Sequence, residues 1–137
     1  MIKDGVIVDT SVLIDFLKGS DAFERDVHLL IEKNRLITTG VIIAELLQGV
    51  KNPKEGQRIA GLLTAINLLE ITTGLWIKAG TASSALRRKG IHLPLTDVAI
   101  ATLAMEHHLS VLTLDKHFKQ IPGLKMYEES GPESHSV

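Results

Sequence analysis

The amino-acid sequence predicts an α/β fold built on a central, mostly parallel β-sheet of four or five short strands. Short runs of β-branched and aliphatic residues alternate with longer segments of helical periodicity, which is typical of parallel sheets covered by helices. The 137 residues suffice for one domain with its own hydrophobic core. Their composition, 45% hydrophobic and 23% charged, is that of an ordinary globular protein.

The predicted strands are short apolar segments followed by polar or small residues. The first of them, Val6-Ile7-Val8, is apolar at successive positions, so it should be buried on both faces of the sheet. The predicted strands cover residues 6–8, 36–38, 69–71 and 110–113, with a fifth, edge strand at 124–126.

The predicted helices are bounded by capping and stop residues. Ser20, Thr39 and Thr96 have the short hydroxyl side chains that favour N-caps, and Gly19 and Gly90 are expected to end the helices before them. The predicted helices cover residues 11–18, 21–33, 40–49, 54–68, 73–89 and 96–108.

Residues 1–127 are expected to form a single domain. The remaining segment, residues 128–137, is polar and rich in small residues, so we expect a disordered tail. The chain has no cysteine, which excludes disulfides, zinc–thiolate sites, iron–sulfur clusters and cysteine nucleophiles. No apolar run approaches the ~20 residues of a membrane span, and the first residues lack the pattern of a signal peptide. We therefore expect a cytoplasmic protein without membrane association.

The charge balance becomes informative when the C-terminal segment and the predicted site are counted separately from the rest of the chain. Residues 1–126 carry 15 basic and 13 acidic groups, and four of these acids belong to one predicted site. Without those four, the domain is mildly basic. An acidic site on a basic body is compatible with a polyanionic substrate held near metal ions.

Four carboxylates are predicted to meet at one edge of the sheet. Asp9 directly follows the first strand, and Asp115 comes just after the fourth. Glu45 lies in an otherwise apolar helical segment, and Asp97 lies in the first turn of its helix. Taken alone, Asp9 and Asp115 are compatible with capping, Asp97 with a helix dipole, and Glu45 with an exposed helix face. Because sites in parallel α/β folds lie beyond the carboxyl ends of the strands, we expect the four to share one cleft.

Such a cleft predicts metal-dependent chemistry. Four carboxylates repel one another strongly unless cations neutralise them, and oxygen ligands suit Mg²⁺ or Mn²⁺. One or two such ions can activate a water and stabilise the leaving oxygen in phosphodiester cleavage. Ser11 and Thr113 supply hydroxyls that can orient a carboxylate or a bound water. The residues therefore predict a metal-dependent nuclease.

Four segments of the chain carry a family pattern. They are residues 8–15 (VDTSVLID), 41–49 (VIIAELLQG), 94–101 (PLTDVAIA) and 112–118 (LTLDKHF). With these segments in this order, residues 5–126 resemble the PIN-domain family, and within it the VapC-type toxin ribonucleases of bacterial and archaeal toxin–antitoxin pairs.

The resemblance implies a PIN-like three-layer α/β/α fold and an endoribonuclease dependent on Mg²⁺ or Mn²⁺. It implies that the catalytic and metal-binding carboxylates are Asp9, Glu45, Asp97 and Asp115. The family's hydroxyls beside the first and last of these acids match Ser11 and Thr113. The resemblance also implies an RNA substrate, often a transfer RNA, a homodimer, and a cognate antitoxin that inserts a peptide near the active site.

Three alternatives stay open. The same domain occurs in stand-alone RNA-processing nucleases, and a PIN-like module can also bind RNA or protein without cutting. A receiver-type phospho-acceptor shares the length and the parallel α/β order. It would have an acidic pair beside the first strand, whereas Asp4 precedes that strand and does not flank Asp9.

Other polar and aromatic residues have simpler interpretations. We interpret Asp15 as structural or solvent-facing and His117 as a packing residue. Arg87 and Arg88 complement a helix dipole and can also hold RNA phosphates. Trp76 and its apolar neighbours are expected in the core or in a dimer interface.

Overall fold

The computed structural model describes residues 2–128 as a mostly helical α/β protein. The strands are β1 (Val6–Val8), β2 (Leu36–Thr38), β3 (Asn67–Leu68) and β4 (Ser110–Leu112). The helices are α1 (Thr10–Leu17), α2 (Glu24–Glu32), α3 (Gly40–Gln48), α4 (Pro53–Leu63), α5 (Thr73–Arg88) and α6 (Leu95–Glu106). A short 3-10 helix, Lys116–Gln120, follows β4.

The four strands form one parallel sheet in the order β3-β2-β1-β4. β1 lies between β2 and β4, and Val6 pairs with Leu36 on one side and with Ser110 on the other. All three residues of β1 are fully buried, as expected for a strand covered on both faces. The parallel sheet with its flanking helices confirms the predicted α/β class and its three-layer α/β/α arrangement.

Helix packing fixes two helix starts near the carboxyl ends of the strands. α1 begins two residues after β1 and packs against α3, which in turn contacts α4. α6 packs against α5 and β4, and every residue from Val98 to Ala104 is buried. Because α6 is enclosed on nearly all sides, its first turn is held in one place relative to the sheet.

The predicted strand at 69–71 is wrong by two residues, because β3 is Asn67–Leu68. The side-chain amide of Asn67 donates to the carbonyl oxygen of Leu36 (3.1 Å) and to that of Asn34 (3.3 Å). These bonds fix the register at Asn67, ahead of the apolar residues that the pattern favoured. Leu69 contributes only a backbone N–H, which donates to the Thr38 carbonyl at 2.9 Å.

Most of the other elements differ from the prediction by one or two residues at a boundary, and the differences in α4, in α2 and at the expected edge strand are larger. α4 ends at Leu63 because Thr64 and Ala65 donate three residues back in a tightened last turn, which directs the chain into β3. α2 begins at Glu24, since Phe23 precedes it as a buried core residue. The expected edge strand at 124–126 is reduced to one parallel bridge between Val111 and Met126.

Within residues 2–128, no helix combines the length and the apolar character that crossing a lipid bilayer requires. The predicted disordered tail, apart from Glu128, lies outside the described residues.

Candidate active site

Asp9 occupies the centre of the sheet's carboxyl edge. Val8 pairs with Leu112 in the register of β1 and β4, so the next residues, Asp9 and Thr113, lie side by side. The Asp9 N–H continues the ladder by donating to the Leu112 carbonyl at 2.9 Å. Its carboxylate is only 7% exposed, and Oδ2 accepts hydrogen bonds from Thr113 Oγ1 (2.8 Å) and Ser11 Oγ (3.1 Å). The position predicted from strand-end reasoning is therefore a buried, doubly hydrogen-bonded carboxylate.

The hydrogen bonds of the two hydroxyls beside Asp9 have a defined donor and acceptor. Ser11 Oγ accepts the Leu114 N–H at 3.1 Å, and Thr113 Oγ1 accepts the Asp115 N–H at 2.9 Å. Each hydroxyl accepts a hydrogen bond from a backbone N–H and therefore keeps its own single proton for donation. Both protons are donated to Asp9 Oδ2. The loop after β4 and the first turn of α1 are thereby joined through one carboxylate oxygen.

Glu45 reaches this edge from α3. Ile42 and Leu46, on the same helix, are buried, whereas Glu45 is exposed on the side facing α1. The Thr10 hydroxyl, in the first turn of α1, donates to Glu45 Oε1 at 2.9 Å. The sequence analysis did not single out Thr10. The position of Thr10 next to Asp9, in the first of the four family segments, could have indicated a role in the site. Only the packing of α1 on α3 shows that its hydrogen-bond partner is Glu45.

Asp97 lies in the first turn of α6 and is the most electrostatically perturbed acid of the site. The helix begins at Leu95 after Pro94, one residue before the predicted start. Burial, the largest cause, and neighbouring negative charges raise the pKa of the Asp97 carboxyl from 3.8 to about 6. The charged neighbours are Asp9, Asp115 and Glu45, in decreasing order of effect. The four predicted carboxylates thus lie within electrostatic range of one another.

Asp115 and His117 complete the site. Asp115 caps the 3-10 helix, with Oδ1 accepting the His117 N–H at 2.9 Å, and the same oxygen lies 3.1 Å from His117 Nδ1. The His117 side chain is 54% exposed, so its interpretation as a packing residue is wrong; the adjacent Phe118 is the buried one.

The donor set fits a divalent cation. One ligand atom each from Asp97, Asp115 and His117 lies within 4.8 Å of the others, and the charges of Asp9 and Glu45 act on the Asp97 carboxyl. Carboxylate oxygens are the ligands that hard cations prefer, and a cation would relieve the repulsion that raises the pKa of Asp97.

The remaining singled-out residues lie elsewhere. Asp15 is half-buried on α1, nearly two turns beyond Asp9. Trp76 is 39% exposed on α5, which argues against a core position. Arg87 and Arg88 are exposed in the last turn of α5 and line a surface depression that includes Leu95, in the first turn of α6. The two arginines are therefore near the helix start that bears Asp97.

Comparisons with known proteins point to one family. A sequence model of the family described as PIN domain matches residues 6–124. The curated protein Ribonuclease VapC2 of Rickettsia felis is 26% identical over 124 residues, which cover 86% of this chain and 92% of that protein.

Solved structures give the same architecture. A DNA-bound VapBC structure from Salmonella typhimurium superposes with a TM-score of 0.80 at 23% identity, covering 93% of this chain and 98% of the other. A toxin–antitoxin complex from Klebsiella pneumoniae has a TM-score of 0.71 at 25% identity, covering 92% and 100%.

Proposed function

Because the chain belongs to the PIN domain family, whose model matches residues 6–124, we propose that it is an endoribonuclease that uses Mg²⁺ or Mn²⁺ and acts as the toxin of a toxin–antitoxin pair. The observation that carries the proposal is the convergence of four carboxylates, expressed in the raised pKa of Asp97. Evenly spread surface acids would not perturb one another in this way.

The residues have distinct roles in this proposal. Asp97, Asp115 and Asp9 would hold the ion, with Asp9 fixed by the two hydroxyls that donate to it. Glu45, the most exposed of the four acids, would join them and accept the proton of the attacking water. When bound, the ion supplies a more acidic water and stabilises negative charge on the leaving oxygen.

The substrate side of the proposal rests on charge and placement. Gly80, Ser83, Ser84, Arg87, Arg88 and Leu95 line the depression beside α6. Arginine and serine side chains bind phosphate oxygens without reading bases, so they would position an RNA backbone next to Asp97. The resemblance to VapC-type toxins, many of which cut one structured RNA such as a transfer RNA, makes an RNA the expected substrate, while the identity of that RNA varies between members and does not follow from similarity.

The partner side of the proposal is a cognate antitoxin. A groove between α1, α3 and α4 has an apolar lining of Ile14, Leu17, Leu46, Val50 and Ile59. The similar Klebsiella structure is a toxin–antitoxin complex, which favours a toxin over a stand-alone processing nuclease. The exposed side chains of Trp76 and Ile77 on α5 would form the interface of a homodimer.

The testing experiment is cleavage of total cellular RNA by purified, antitoxin-free protein, with Mg²⁺ or Mn²⁺ against chelator. We expect discrete fragments only with the ion, because the carboxylates cannot activate water without it. The Asp15→Asn variant is the matched control, since it removes an acid of the same motif outside the site, and it should cleave normally. Cleavage that persists in chelator, or RNA binding by folded protein without cleavage in any divalent ion, would refute the proposal.

A second prediction concerns the positioning of Glu45. The hydrogen bond from Thr10 should contribute about 1 kcal/mol to holding this carboxylate, so Thr10→Val should lower kcat/KM for RNA about five-fold. Thr10→Ser retains the hydroxyl and should restore the activity. Full activity in Thr10→Val would show that the hydrogen bond to Glu45 does not matter, and an equal loss in Thr10→Ser would show that the hydroxyl alone is insufficient.

A further inference from the structure

We propose that His117 is a nitrogen ligand of the divalent ion in this site and gives the site a preference for Mn²⁺ over Mg²⁺. The inference rests on the proposed function, which places an ion among the carboxylates, and adds a ligand that the four-carboxylate pattern does not contain. Its starting point is the grouping of ligand atoms, in which the histidine stands together with Asp97 and Asp115.

The distances suit an octahedral ion. With metal–ligand bonds of about 2.1 Å, adjacent ligand atoms of an octahedron lie about 3.0 Å apart and opposite ones about 4.2 Å apart. His117 Nδ1 and Asp115 Oδ1 are 3.1 Å apart, a distance that suits an ion pair in the metal-free chain and also suits two adjacent ligands of one ion. One ligand atom from each of Asp97, Asp115 and His117 lies within 4.8 Å of the others, and rotation of the exposed His117 side chain can bring its ring closer to the two carboxylates.

The local fold holds the backbone of His117 in place. Asp115 Oδ1 accepts the backbone N–H of His117, so the two residues form one capped turn at the start of the 3-10 helix. Phe118, fully buried, anchors this turn to the core. The histidine is therefore directed to the site by backbone geometry, although its ring is exposed and free to adjust.

The chemistry of the ring determines the selectivity. Mg²⁺ takes oxygen ligands and gives up its waters reluctantly, whereas imidazole nitrogen is a good ligand for first-row transition ions. Replacing one water by this nitrogen therefore favours Mn²⁺ more than Mg²⁺. The competing role is a cationic His117 that contacts an RNA phosphate and does not touch the ion.

The test is pulsed electron paramagnetic resonance of Mn²⁺ bound to the full chain, together with Mn²⁺ and Mg²⁺ titrations. We expect nitrogen coupling from a directly bound imidazole in the wild type and its loss in His117→Gln. The Mn²⁺ dissociation constant should rise about ten-fold in that variant, with a smaller change for Mg²⁺. His28→Gln is the matched control, because His28 is another exposed histidine beside an acid, Glu24, but lies on α2.

The outcomes separate the inference from the proposed function. Asp97→Asn should weaken Mn²⁺ binding, which assigns the bound ion to this site. Bound Mn²⁺ with no nitrogen coupling, or coupling retained in His117→Gln, would overturn the role of the histidine and leave the carboxylate site intact. A wild-type protein that binds no Mn²⁺ would overturn both.

Discussion

The substitution Asp97→Asn should abolish RNA cleavage while making the metal-free protein more stable at neutral pH. Cleavage should fall by more than about 100-fold, because loss of a direct ligand costs more than loss of a supporting contact. Stability should rise because the amide removes a negative charge that burial, the largest cause, and three neighbouring carboxylates both disfavour. If Asp97 were needed only for folding, the substitution would lower the stability of the metal-free protein and not raise it.

The pH dependence of this effect follows from the pKa. The Asp97 carboxyl titrates at about 6 in the folded chain and near 3.8 when unfolded. Between these values the unfolded state releases the proton first, so the wild type loses stability as pH rises from about 4 to about 6. The amide of the Asp97→Asn variant does not titrate, so the advantage of the variant should grow over this window and then level off.

Urea unfolding in chelator between pH 4 and 7.5 measures the difference in the free energy of unfolding between Asp97→Asn and the wild type. Asp97 is partly exposed, so solvent screening reduces the effect of its charge. Above pH 6.5 we expect Asp97→Asn to be more stable than the wild type by about 1 kcal/mol. Asp15→Asn is again the control, and divalent ion should narrow the gap by neutralising the wild-type cluster. Retained cleavage in Asp97→Asn would remove this residue from the site.

The second large effect is expected from Phe118→Ala. Phe118 is fully buried and is among the largest such side chains in the described part of the chain. Truncation should lower the free energy of unfolding by about 3–5 kcal/mol through lost burial and the resulting cavity. Since Phe118 anchors the turn bearing Asp115, the folded fraction should also cleave RNA more slowly.

Phe118→Leu provides the matched comparison, because it keeps most of the apolar volume and should cost about 1.5 kcal/mol or less. Both variants are measured by urea unfolding, with cleavage rates normalised to the folded fraction. A loss below about 1 kcal/mol in Phe118→Ala would show that the turn is held by other contacts.

The parts of the site that lie on strand ends were predictable from sequence. Val6–Val8 and the run at 110–112 were both recognised as short strands, so the residues that follow them could be assigned to the same edge of a parallel sheet. That β4 pairs with β1, in the register that puts Asp9 beside Thr113, came only from the structure. Asp97 was predictable because Pro94 marks the start of its helix.

Features that depend on tertiary packing could not be predicted in this way. The partner of Thr10 depends on how α1 lies on α3, and helical periodicity gives no crossing geometry. The register of β3 depends on side-chain bonds from Asn67, which an apolar pattern does not contain. In the Lys116–Gln120 turn, His117 was interpreted as the packing residue, and only the fold shows that Phe118 is the buried one.

The position of the last strand beside the first has a consequence for biosynthesis. Thr113 and Asp9 are 104 residues apart in the chain, yet they share a hydrogen bond. A ribosome-bound chain that has released only β1, β2 and β3 lacks β4 beside β1, and with it the Thr113 hydroxyl and the Asp115 carboxylate. Incompletely translated chains therefore cannot assemble the site, and the proposed activity begins only after the segment through Phe118 has left the exit tunnel.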